Sequence, residues 1–157
     1  LDVGDFTLSM EGAPDPRYNF IDVPPLDTSE TDVDGTSHMN VFTDGRSMTN
    51  LTFLFDSAIT AFGADFRSLN DGMVRTQLLV DGELLSLPIA GASREFSFFG
   101  FTSDSAFTSI TFQGVANDVY GIDNVTYSAT EVSEPSTIAF LLLGATGLMF
   151  ARKKRSL

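Results

Sequence analysis

Asn50-Leu-Thr-Phe-Leu-Phe-Asp56 is the stretch that decides the fold. Leu51, Phe53 and Phe55 recur at every second position, so an extended chain presents all three on one face. Thr52 and the flanking Asn50 and Asp56 fall outside that apolar set. This is the signature of a half-buried β-strand, and its neighbours repeat it. Arg94-Glu-Phe-Ser-Phe-Phe-Gly-Phe101 and Phe107-Thr-Ser-Ile-Thr-Phe112 are equally rich in β-formers. Further strand candidates cover 6–10, 18–22, 39–43, 58–66, 74–80, 84–89 and 119–127. About ten short strands at roughly 8–12-residue spacing predict an all-β, antiparallel β-sandwich of jelly-roll type.

The turns agree. Val80-Asp81-Gly82-Glu83 sets Asp-Gly between two apolar runs, the pair favoured by a type I′ hairpin because both central positions need φ > 0. Thr43-Asp44-Gly45-Arg46 and Asn70-Asp71-Gly72 predict further turns of the same kind. Segment 22–36, with Pro24-Pro25 and Asp27, Glu30, Asp32 and Asp34, reads as a surface loop. Before residue 135 no stretch carries a 3.6-residue apolar period.

Composition excludes several functions. The chain has 157 residues, 21 acids against 9 bases, one histidine and no cysteine. Disulfides, thiol catalysis and cysteine zinc sites are therefore absent, and His38 alone cannot build a triad or a multi-histidine metal site. All the acids but Glu134 precede residue 134, where the bases are Arg17, Arg46, Arg67, Arg75 and Arg94. So acidic a domain repels nucleic acid. An enzyme reading needs paired carboxylates across a cleft, for which this run of short strands leaves little room, so no catalytic residue is assigned. Sugar binding calls for aromatic platforms. With no Trp, three Tyr and 15 Phe, most aromatic area is expected in the core.

Composition changes after Tyr127. The expected organisation is a domain over 1–127, a polar linker over 128–134, and a C-terminal signal over 135–157. Within that signal, 138–151 form an uncharged helix of 14 residues and Arg152, Lys153, Lys154 and Arg155 form a basic tip. At 1.5 Å per residue the helix reaches about 21 Å, short for a bilayer but able to cross a thin one with snorkelling bases. The basic tip places its end in the cytoplasm and the acidic domain outside. The sequence opens at Leu1 without a basic n-region, so a signal peptide has been removed or the chain begins within a longer one.

Val132-Ser-Glu-Pro-Ser-Thr-Ile-Ala-Phe-Leu-Leu-Leu-Gly-Ala-Thr-Gly-Leu-Met-Phe-Ala-Arg-Lys-Lys-Arg155 resembles the PEP-CTERM sorting signal of Gram-negative and cyanobacterial envelopes. Glu134, Pro135, Ser136 and Thr137 occupy the motif, followed by the helix and the basic stop, and Ser133 stands where that family usually has its first proline. The resemblance implies recognition and cleavage by an exosortase-type membrane peptidase, passage through the inner membrane, and delivery to the cell surface or extracellular matrix. A cell-wall sortase signal needs a Leu-Pro-x-Thr-Gly motif that is missing here, and a GPI signal ends in its apolar tail, not in bases. A permanent stop-transfer anchor carrying a carbohydrate-binding module is the alternative.

The domain itself, through Leu51–Phe66, Phe98-Phe-Gly-Phe-Thr-Ser-Asp104 and Tyr120-Gly-Ile-Asp-Asn-Val-Thr-Tyr127, resembles jelly-roll carbohydrate-binding and lectin-like modules. That resemblance implies extracellular polysaccharide as a partner and makes Asp123 a candidate ligand for structural calcium. Asp32 and Asp34 offer oxygen ligands of the same type, although a solvated acidic loop is the simpler reading. No other cofactor is implied.

Overall fold

The computed structural model describes residues 3–12, 20–22, 31–43, 49–87 and 94–129. They form an antiparallel all-β sheet of eight strands: β1 (Phe6–Glu11), β2 (Phe20–Asp22), β3 (His38–Thr43), β4 (Asn50–Arg67), β5 (Thr76–Val80), β6 (Glu83–Leu85), β7 (Phe96–Gly114) and β8 (Asp118–Ala129). The order is β2-β3-β8-β4-β7-β5-β6, with β1 also on β4.

β4 and β7 dominate the architecture. Each fuses two of the short strands that the sequence predicts, 50–56 with 58–66 and 94–101 with 107–112, which is why eight strands are found where about ten are expected. Neither runs straight. Phe53 and Phe62 lie on the same strand, where a straight chain would hold them about 30 Å apart at 3.3 Å per residue. Their ring centroids are 5.6 Å apart. Phe101 and Phe107 of β7 likewise stack at 5.3 Å. Both strands therefore turn a corner, and the pairing register shows where. It shifts between Leu54 and Ile59 and again between Ile59 and Ala61, with Ile59 opposite Phe107. Bulges of this kind bend strands sharply while keeping the rest of the ladder in register.

The corner doubles the sheet over. Residues 50–55 of β4 pair with β1 on one side, residues 50–54 pair with 109–113 of β7 on the other, and β7 continues to β5 and β6. Residues 59–67 of β4 pair with β8, which continues to β3 and β2. The two layers face each other across Phe53, Phe55, Phe62, Phe66, Phe112 and Tyr120, all buried. Tilted contacts at 5.5–6.4 Å link Phe112 to Phe62, Phe66 and Tyr120, and an edge-on one at 6.1 Å links it to Phe53, geometries that aromatic quadrupoles favour.

The Asp81-Gly82 turn is as expected. Val80 pairs with Glu83, and both turn residues have positive φ (46° and 84°), the type I′ pattern. Asp81 also accepts from Ser109 N (2.8 Å) and Thr108 N (3.1 Å), fastening the hairpin to β7. Partial burial raises the Asp81 carboxyl, but those bonds and the two hydroxyls outweigh it and hold the group below the usual range. Asn70-Asp71-Gly72 is different. It does not close a hairpin, because β4 and β5 flank β7 and are not neighbours. Its Asn70 and Gly72 have positive φ, as turn residues, but the segment is a crossover.

A buried polar knot secures that crossover. Asn70 donates through Nδ2 to the Thr76 carbonyl (2.9 Å) and accepts at Oδ1 from Thr76 N (2.7 Å) and Arg75 N (2.8 Å). Asp118, only 1% exposed, accepts at Oδ2 from Thr76 Oγ1 (2.8 Å) and Asn70 N (3.3 Å). Its Oδ1 is buried without a hydrogen-bond partner. Burial pushes the Asp118 carboxyl up, against the pull of Thr76, Asn70 and the Arg75 charge.

A carboxyl whose folded pKa is raised contributes stability that is complete below its unfolded pKa and is lost as pH rises through the folded value. Urea unfolding of the wild type is therefore expected to show stability falling as pH climbs above the ordinary carboxylate range. In Asp118→Asn, which keeps an acceptor for Thr76 and Asn70, that portion of the pH dependence disappears. Asp118→Ala leaves both donors unpaired and costs about 2–3 kcal/mol across the range.

Candidate functional site

The outer face of the β7–β4–β8 layer carries the most unusual surface of the described residues. Strand alternation sends Phe62, Ala64 and Phe66 into the core, so Ala61, Gly63, Asp65 and Arg67 point outward. On β7, Phe99 and Phe101 pack inward and Phe96, Phe98, Gly100 and Thr102 face out. Phe98 is 64% exposed and Phe96 51%. The sequence signal was the doubled Phe98-Phe99: a strand with phenylalanine at both parities has to expose one set. Most of the phenylalanines pack in or against the core as expected, and Phe96 and Phe98 are the exposed ones among the described residues.

Phe98 lies over a cross-strand pair of glycines, Gly63 and Gly100. A Cβ on Gly63 would stand 2.7 Å from Phe98 Cζ, and one on Gly100 3.1 Å from the same ring atom. Absence of side chains there lets the ring tip settle onto the sheet while most of the ring stays open to solvent. Thr126 pairs with Gly63 from β8 and donates to its carbonyl (3.3 Å), and Ser128 pairs with Ala61. The result is an open hollow of about 460 Å³, with Phe98 at one side and Thr102, Thr126 and Ser128 around a glycine-alanine floor.

A bulge in β8 builds the polar rim. Between the pairs Gly63–Thr126 and Asp65–Asp123, β8 contains one residue more than β4. The extra residue takes the left-handed conformation at Asn124 (φ 49°), which asparagine tolerates better than most. The bulge switches parity, so Tyr120 and Ile122 before it and Val125 and Tyr127 after it all pack on the core. It also re-aims Asn124. Nδ2 donates to Asp65 Oδ2 (3.0 Å) and to Asp34 Oδ2 (3.3 Å). Thr36 Oγ1 bridges Asp34 Oδ1 (2.6 Å) and Asp123 Oδ2 (3.0 Å). Hydrogen bonds from Thr36 and Asn124 hold the Asp34 carboxyl below its usual range.

The three calcium candidates are thus split. Asp34 and Asp123 come together through Thr36, joined by Asp65, which sequence spacing could not place. The Asp32 carboxylate instead accepts from Gly35 N (2.7 Å), closing a local turn. Thr36 and Asn124 already occupy these oxygens, and among the described residues no three acids or histidines converge as metal ligands. The set does not fit a calcium cage. Glu134, Pro135, Ser136, Thr137 and Arg152–Arg155 lie outside the described residues, as does the expected helix over 138–151; among the described residues no helix is long and apolar enough to cross a membrane.

The 31–37 loop covers the next row of the same face. Arg67 Nη1 donates to the Asp32 carbonyl (2.7 Å), and His38, buried at the start of β3, has Nε2 3.4 Å from Thr31 Oγ1. Gly121 makes the docking feasible: a Cβ there would stand 1.9 Å from the Thr31 carbonyl oxygen.

No protein-family model matches this chain, and no curated protein matches it. Among solved structures it is similar to a variant of CBM29-2, a family 29 carbohydrate-binding module, at 16% identity over 84% of this chain and 99% of that one, with a TM-score of 0.46. The catalytic unit of a GH87 α-1,3-glucanase from Streptomyces thermodiastaticus matches at 16% over 85% of this chain and 28% of that one, TM-score 0.44. The enzymatically active domain of bacteriophage CBA120 tailspike protein 4 matches at 15% over 82% and 20%, TM-score 0.44.

Two glycine substitutions separate the loop from the shelf. Gly121→Ala drives a methyl into backbone that cannot swing aside and is expected to cost about 3 kcal/mol. Hydrogen exchange should then rise across 31–37. Gly63→Ala meets the tip of Phe98 and, at 3.3 Å, the Thr126 hydroxyl, both side-chain groups that can give way, so thermal stability changes little.

Proposed function

We propose that this domain is a non-catalytic, jelly-roll-like carbohydrate-binding module of the cell exterior, and that the shelf around Phe98 receives the polysaccharide. The observation that carries the reading is an aromatic ring 64% exposed, seated on paired glycines beside a hydroxyl-lined hollow. A pyranose ring has an apolar face of C–H groups that packs on an aromatic ring, and a rim of hydroxyls that needs polar partners. Phe98 supplies the first, and Asp65, Asn124 and Thr126 supply the second.

The full chain should bind at least one neutral or amino-sugar polysaccharide on beads in a saturable manner. Phe98→Ala is expected to weaken that binding at least about tenfold while changing stability by less than about 0.5 kcal/mol. Phe98→Tyr should retain it. Absence of saturable binding across such a panel, or an indifferent Phe98→Ala, overturns the assignment.

The tail complements this reading as an address. Glu134 to Thr137 form a cleavage motif for an exosortase-type peptidase, 138–151 lodge in the inner membrane, and Arg152–Arg155 fix the cytoplasmic side. Proline disfavours helix in the residue before it, which suits a motif that a membrane peptidase has to grip. Release then delivers the module to the surface or matrix. Mass spectrometry of protein from native cells is expected to find nothing beyond Pro135 on the exported form, and replacing Glu134-Pro135 by Ala-Ala should hold the uncut chain in the inner membrane. An intact 150–157 peptide on surface-located protein marks a permanent anchor instead.

A further inference from the structure

The first half of β7 leaves an edge of the sheet open. Residues 110–113 lie between β4 and β5, but β5 reaches no further along β7 than 110–114. Residues 96–102 pair with 61–67 of β4 without a break, and no described strand lies on their other side. Ser68 N donates to the Glu95 carbonyl (3.0 Å), directly across the same ladder. That bond marks residue 95, and every second residue after it, as the ones that bond to β4. In an antiparallel ladder the residues between them turn N–H and C=O the other way. Phe96, Phe98, Gly100 and Thr102 therefore each present a donor and an acceptor along the open edge.

Proteins guard such edges by keeping them short, charged or interrupted by proline. The strands at the other edges obey this. β2 and β6 are 3 residues long and carry Asp22 and Glu83, and β1 carries Glu11 and follows Asp5. Residues 96–103, Phe-Ser-Phe-Phe-Gly-Phe-Thr-Ser, hold neither a charge nor a proline. The tip of the Phe98 ring also lies inboard over Gly63 of β4, so it does not overhang the edge. In a chain of net charge −12, this is where a second copy can approach without acid meeting acid.

We infer that two copies of this chain join edge to edge through residues 96–102, antiparallel about a two-fold axis at Phe99. That register sets Phe96 opposite Thr102 and Phe98 opposite Gly100 of the second copy, so all the outward-turned backbone groups pair. It also keeps outward side chains beside outward side chains, which a one-residue slip would undo. A shift of two residues loses a pair at the end of the strand. Beyond the paired residues, Glu95 falls level with Ser103 and Arg94 with Asp104 of the second copy, so no acid opposes an acid. β1 paired with itself about its middle would set Asp5 against Glu11 twice, which like-charge repulsion disfavours. A two-fold contact closes on itself, so association stops at the dimer. One strand pair is a small interface, which places the affinity in about the micromolar range. Because both copies are acidic, salt strengthens the dimer. The contact stands whether or not the shelf binds sugar.

The chain has no cysteine, so Asp104→Cys takes a single spin label. Dipolar spectroscopy of the labelled full chain in nonionic detergent, at about 100 μM, should show an intermolecular distance of about 33 Å, the span from residue 94 to 104 at about 3.3 Å per residue. The dimer fraction should rise with added salt. Thr102→Val keeps the outward N–H and should keep that distance. Thr102→Pro removes an N–H that β4 does not use and should abolish it. Thr102→Glu, which sets an acid on each side of the contact, should weaken association at least about tenfold. Absence of the distance, or a different distance common to all variants, overturns the inference. So does a Thr102→Pro chain that keeps the wild-type circular dichroism and still dimerises. Where Thr102→Pro fails to fold, an unweakened dimer in Thr102→Glu overturns it.

Discussion

Everything in this domain depends on two strands that fold back over themselves. The contact between Phe53 and Phe62, two rings from a single strand, exists only because β4 turns a corner between Leu54 and Ala61 while β7 turns with it. That corner converts one continuous sheet into two facing layers, and so creates an inside for the phenylalanines to fill. It also removes the need for a separate linking segment between the layers. A core with seven buried aromatic rings gains both area and directional ring contacts from this arrangement.

The same alternation that fills the core has an external consequence. Along β4 and β7, each inward aromatic forces its neighbour outward, and at the β7–β4–β8 face the outward set is Phe98, Phe96, two glycines and a row of small hydroxyl residues. The one-residue bulge at Asn124 then lets β8 keep its aromatic and aliphatic side chains inward on both sides of the bulge. By the same device it lifts an amide into the carboxylates of Asp65 and Asp34. Core packing and the polar rim are thus two results of one backbone irregularity.

Polar burial is handled in two contrasting ways. At the crossover between β4 and β5, Asn70, Thr76 and Asp118 bond to each other out of water, and burial leaves the Asp118 carboxyl biased toward its neutral form. At the rim, Asp34 lies in solvent and is held toward its charged form by Thr36 and Asn124. The first arrangement serves the fold. The second keeps negative charge displayed in solvent beside an exposed ring.

The sequence by itself determined the class of the domain and its local chemistry. Period-two apolar patterns at 50–56, 96–101 and 107–112 require strands, and Asp81-Gly82 requires its I′ turn, because both depend only on neighbouring residues and their backbone preferences. Tertiary structure alone decided the rest. Whether 50–56 and 58–66 are two strands or one bent strand depends on the opposing register of β7, which no local signal contains. Whether Asn70-Asp71-Gly72 closes a hairpin or a crossover depends on where β7 inserts. Asp65 meets Asp34 and Asp123 only because two strands and a loop converge across the sheet, and Phe98 stays on the surface because its neighbour Phe99 took the place in the core.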